Sequence, residues 1–120
     1  MDGRSECTVA KWGRKKFDVK FADTITEAGL VGLLSKSNTD RYLLESLKKK
    51  IFISIEKHHS KQVVVSGHQD CAGNPVEDEK HRQDTLKAAA IIKSFVPTNI
   101  EIIPVFVKRD LKQGWMVEKL

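Results

Sequence analysis

Residues 61–79, KQVVVSGHQDCAGNPVEDE, limit what the chain can fold into more than any other stretch. Residues 61–67 read as a strand. Their unbroken run Val63, Val64, Val65 is the pattern of a strand buried on both faces, as in a parallel sheet. A helix should follow. Asn74 is a good N-cap, Pro75 suits the first helical position, and Glu77 completes a capping box three residues after the cap. Asp78 and Glu79 put negative charge where the helix dipole is positive. That helix should run over 75–94, stopping before Pro97.

The remaining signals are of the same two kinds. Residues 8–17 read as a short helix that ends near Gly13 or just after it. Residues 19–25 have the β-branched and aromatic content of a strand, closed by a turn at Gly29. Residues 40–57 carry the clearest helix: Leu44, Leu47, Ile51 and Ile55 recur at spacings of three and four, with Lys48, Lys49 and Lys57 off that stripe. Residues 100–107 read as a strand that Pro104 interrupts, and WMVEKL at the end can form a last short one. Strands alternating with helices imply an α/β fold with a mainly parallel sheet. A length of 120 residues suits a single domain spanning 1–120.

Charge narrows the partners. The net charge is +5, but the basic clusters at 13–16 and 48–50 are short and acidic residues are mixed in nearly everywhere. Solvated helix faces explain that pattern, and no nucleic-acid partner is expected. Two cysteines, Cys7 and Cys71, are too few for a disulfide framework and fit a reducing compartment. The N-terminus is too charged for a signal peptide, and no apolar run approaches membrane-spanning length. A cytoplasmic protein without a membrane partner is expected.

In open α/β sheets ligands sit beyond the carboxyl ends of the strands. His68 and Cys71 occupy that place, between the strand at 61–67 and the helix that Pro75 opens. Imidazole and thiolate are a preferred zinc pairing, and a helix N-terminus nearby favours the thiolate. The plainer reading of Cys71 is a small buried hydrophobe. The setting of strand, Gly67, His68, two residues, Cys71, small residue and Gly73 favours a metal.

KQVVVSGHQDCAG resembles the strand and Gly-His-x-x-Cys turn of the β-class carbonic anhydrases. SIEKHHSK is similar to the helix end that leads into that strand, and FADTITEAGL to the family's second strand. DCAGNPV is similar to small, minimal members, and the likeness spans about residues 1–110. The resemblance implies a three-layer β-carbonic anhydrase fold, with a mainly parallel central sheet flanked by helices. It also implies a homodimer or higher homo-oligomer with the active-site cleft at the subunit interface. The cofactor would be zinc, with His68 and Cys71 as two of its three protein ligands. In the family, zinc lowers the pKa of a bound water, and the hydroxide hydrates carbon dioxide reversibly to bicarbonate, a carbonate dehydratase lyase reaction.

Asp2 and Arg4 match the Asp and Arg of the family's Cys-x-Asp-x-Arg motif. By that match Asp2 orients the water or ligates zinc as a third protein donor, and Arg4 is its partner. The motif's cysteine would lie one position before Met1. The expectation is therefore a chain lacking that cysteine and part of the first strand, through truncation of a longer one or a misplaced start. The strand would belong between 19–25 and 61–67. The segment around residues 115–118, or a strand from a second copy, could also fill its place. Two other functions follow. Hydrolysis of carbonyl sulfide or carbon disulfide would use the same parts, and a catalytically impaired metal- or anion-binding relative would fit the absent cysteine.

Other candidates carry less. Cys7 lies five residues past Asp2 and is a poor substitute for the absent ligand. His58 and His59 read as exposed groups at a helix end, His81 as a surface partner of Glu77, and Trp12 and Trp115 as packing residues.

Overall fold

A computed structural model describes residues 1–112 and 114–120. The elements run α1 (Gly3–Phe17), α2 (Leu30–Leu34), α3 (Arg41–Lys57), β1 (Gln62–His68), α4 (Asp78–Phe95), β2 (Glu101–Asp110) and β3 (Gly114–Lys119). β1 and β2 pair in parallel, from Gln62 opposite Glu101 to His68 opposite Val107. β3 returns antiparallel to β2, from Asp110 opposite Gly114 to Val105 opposite Lys119. The chain is α/β, with a mixed three-stranded sheet in the order β1-β2-β3.

β2 is the most buried strand, with Val105, Phe106 and Val107 wholly excluded from solvent. Phe106 packs against His81 and Arg82 of α4, and α1 packs against all three strands. Pro104 lies inside β2 rather than breaking it. Its carbonyl accepts from the Leu120 amide at 3.1 Å, so its nitrogen faces the side where β3 has run out. The missing N–H forgoes only the reciprocal bond to Leu120, at the very end of the β2–β3 ladder, where a strand tolerates proline.

Four local expectations need correction. The helix read at 8–17 begins at Gly3 and runs through Gly13 to Phe17, because the Asp2 carboxylate caps it by accepting from the Arg4 amide at 2.9 Å. The helix expected from Pro75 starts at Asp78, capped by Glu77 without a side-chain bond. Asn74 turns inward instead, donating to Asp84 at 3.1 Å and lying against Gly32. α2, after the left-handed Gly29 (φ 65°), was not anticipated. The strand read at 19–25 is not formed.

That last difference has a physical cause. A strand needs a neighbour for its backbone groups, and residues 20–27 make no backbone–backbone hydrogen bond among the described residues. Asp23 is anchored by its side chain, accepting from Ser54 and bonded to His58 Nδ1, both at 2.6 Å. At the other end Gly29 abuts Gly73 so closely that a Cβ on either would collide with the other's backbone. The segment thus runs alongside β1, from the turn before it to the loop after it. Between the two lies a cavity of about 1120 Å³, floored by core residues such as Val31, Leu34 and Ile51.

β1 is therefore not buried on both faces, as its valines suggested. Among the described residues it pairs only with β2, and Val63 and Val64 are half-buried. The segment at 115–118 does not lie beside it, since β3 pairs on the far side of β2.

Asp84 is 2% exposed and is the buried anchor of this region. Burial alone would raise its pKa, but hydrogen bonds from Lys80 and Asn74 outweigh it and hold the carboxyl below its ordinary value. Asp84→Ala should cost about 1.5–3 kcal/mol, the range for bonds to a charged group, read by urea titration. The depressed pKa means this stabilisation is present above the unfolded-state value of about 3.9 and is lost as pH falls through the folded-state value. The difference between the two proteins should shrink in that acid window.

Candidate functional site

The loop between β1 and α4 carries the His-x-x-Cys pair. Strand register places His68 as the last residue of β1, opposite Val107. Gln69 then ties the loop to both neighbours. Its amide donates to the Val107 carbonyl at 2.9 Å, its side-chain oxygen accepts from the Arg109 amide at 2.9 Å, and its side-chain nitrogen donates to Asp78 at 2.6 Å. Asp70 takes a left-handed conformation (φ 55°), which aspartate tolerates better than most residues. The Asn74 amide closes the turn on the Cys71 carbonyl at 3.2 Å.

Asp2, His68 and Cys71 all line the one cavity. Arg4 grips Asp2 in a fork: Nε donates to both carboxylate oxygens at 3.0 Å and Nη2 to Oδ2 at 2.5 Å. This clasp holds the Asp2 carboxyl far below the usual carboxylate range, so it is an ionised acceptor. Asp2 Oδ2 lies 4.0 Å from His68 Nδ1. That nitrogen bonds the Gln69 carbonyl oxygen at 2.8 Å, the kind of contact that fixes a tautomer and leaves Nε2 free. Cys71 is a free, half-buried thiol, while Cys7 is exposed on α1. Among the described residues no group of three or more His, Cys, Asp or Glu is arranged to hold a metal ion.

His81 is a core residue and not a surface partner of Glu77. It is 3% exposed, with its ring centroid 5.7 Å from Phe106 in edge contact and 6.0 Å from His68. Gly67 makes this possible, since a Cβ there would strike Thr85 and the His81 ring. Burial lowers the His81 pKa, which favours a neutral imidazole beneath the site. A glycine inside a strand signals such close approach, and Gly67 was the available clue. His58 is also more than an exposed cap, through its bond to Asp23. Trp12 packs edge-on against Phe17, whereas Trp115 takes Arg4 and Arg109 over its ring.

The fold and the loop at the end of β1 define an α/β chain with a His-x-x-Cys turn at the carboxyl edge of a parallel strand pair. A family model described as "Putative carbonic anhydrase" matches residues 1–119, and the chain belongs to that family. Neither a search of curated proteins nor one of solved structures finds a match. Among the described residues no helix is long and apolar enough to cross a membrane.

Arg4→Ala should raise the titration midpoint of the Asp2 carboxyl toward its ordinary 3.8. Carboxyl-carbon NMR over pH 1–6 reads it; a midpoint that stays put would mean another group holds the charge.

Proposed function

We propose that the chain is a zinc-dependent, carbonic anhydrase-like protein for the reversible hydration of carbon dioxide to bicarbonate. His68 and Cys71 are its zinc donors, and Asp2 is the carboxylate that orients water. The observation that carries this reading is the lining of one cavity by Asp2, His68 and Cys71, with Asp2 kept ionised by Arg4.

The donors suit zinc by chemistry. An imidazole with one nitrogen engaged by a carbonyl and a thiol from the same short loop are borderline-soft ligands of the preferred kind. When bound, zinc supplies a Lewis acid that brings the pKa of water toward neutrality. This chain's residues do the rest. Asp2, with both oxygens on Arg4, serves as an acceptor for a water proton rather than a donor to it, which favours orientation over ligation. Arg4 keeps that carboxylate charged, and neutral His81 packs beneath His68 without adding a cation. The reading carries with it the three-layer fold, a single domain, a homodimer and a cytoplasmic location. Sedimentation velocity tests the dimer.

Two donors bind zinc weakly. Residues 1–120, produced alone and purified without chelator, should hold well under one equivalent by elemental analysis, falling further in Cys71→Ser; a full equivalent that survives Cys71→Ser overturns the ligand assignment. The cavity offers a direct gain-of-function test. Adding a cysteine before Met1, preceded by five apolar residues, should raise both zinc content and stopped-flow hydration activity, and Arg4→Ala should reduce the gain. Extended protein that binds zinc and stays inert would favour the second reading, a metal- or anion-binding relative without catalysis.

A further inference from the structure

Asp2 and Arg4 bond each other, but a pair two residues apart at the first turn of a helix moves with that helix. Its position beside His68 needs a contact from outside α1. The Arg4 guanidinium carbon lies 5.1 Å from the centroid of the Trp115 ring on β3, and that of Arg109 on β2 lies 5.5 Å from the same ring. Two guanidinium groups sharing one indole would repel, yet each has its own carboxylate. Arg4 is paired with Asp2, and Arg109 with Asp70. Arg4 Nη2 also approaches the Asp70 carbonyl, at 3.5 Å, the outer limit of a hydrogen bond. The contacts close a ring from α1 through β3 and β2 to the loop after His68. Tryptophan offers the best aromatic face for a cation, and Trp115 is the member of the ring that touches both arginines.

We propose that Trp115 is the positioning residue of the Asp2–Arg4 pair, its indole holding the Arg4 guanidinium so that the Asp2 carboxylate stays beside His68. The proposal rests on the role given above to that pair. Trp115 itself acts on Arg4 and not on the substrate. Each arginine has its own carboxylate, Asp2 for Arg4 and Asp70 for Arg109, which offsets the repulsion of two cations against a single ring.

The test is NMR on the whole chain and needs neither metal nor turnover. In the native protein the Arg4 Nε–H resonance should be displaced by the indole ring current, with a cross-peak between the Asp2 β-protons and the His68 ring. In Trp115→Leu that displacement should collapse and the cross-peak should weaken, with far-UV circular dichroism and Trp12 fluorescence unchanged. Trp115→Phe, which keeps an aromatic face on β3, should rescue the cross-peak and part of the displacement. It also serves as the readout if the leucine variant does not fold. An Arg4 resonance that stays where it is in either folded variant, or a cross-peak that Trp115→Leu leaves intact, overturns the proposal. If the resonance moves as expected while the protein takes up no zinc, the clamp stands and the proposed function falls.

Discussion

Asp84, buried in the core, receives the side-chain amide of Asn74 and the ammonium of Lys80, and through Asn74 it fixes the turn that carries Cys71. A buried carboxylate is costly unless paired and hydrogen-bonded, so the helix and the loop are bound to one arrangement. Gly32 leaves room for Asn74, and Gly29 and Gly73 let two backbones meet without side chains between them. The loop after β1 is therefore seated on α2 and α4 before any ligand is considered. Strand register then sets His68 at the start of the loop, and the Asn74 amide sets Cys71 near its end.

The other side of the site is built differently. Asp2 and Arg4 sit at the N-terminal end of α1, where Asp2 comes within 4.0 Å of His68 and Arg4 lies over the Trp115 ring, outside the core. Beyond them the cavity beside β1 has an apolar floor and a flank, residues 20–27, whose backbone has no partner among the described residues. A strand edge left open in this way invites pairing. The polar groups of the site sit at the end of that cavity where β1 delivers His68. Filling the cavity with a strand would change both the burial of Val63 and Val64 and the company that His68 and Cys71 keep.

Patterns that depend on local chemistry were readable from residues alone. The stripe Leu44, Leu47, Ile51, Ile55 gave α3 nearly to its ends, and the valine run gave β1 within a residue. The parallel pairing of β1 with β2, and the place of His68 and Cys71 around the end of β1, followed from the alternation of strand and helix. Features decided by tertiary partners were not readable. Asn74 has the composition of a cap, but a buried aspartate ten residues on outcompeted the helix end. His81 has a surface-like spacing from Glu77, but Gly67 opens space for its ring in the core. Residues 19–25 have strand composition without a strand beside them to pair with. Arg109 and Trp115 gave no signal, because their meeting with Arg4 depends on how β3 folds back on β2.

The central claim is that His68 and Cys71 together bind zinc. X-ray absorption at the zinc edge, on protein given one equivalent of the metal, tests it most directly. The account predicts one sulfur scatterer at about 2.3 Å and nitrogen or oxygen scatterers at about 2.0–2.1 Å, with the sulfur shell lost in Cys71→Ser and one nitrogen shell reduced in His68→Ala. A shell of oxygen and nitrogen alone, or a spectrum that Cys71→Ser leaves unchanged, would contradict it.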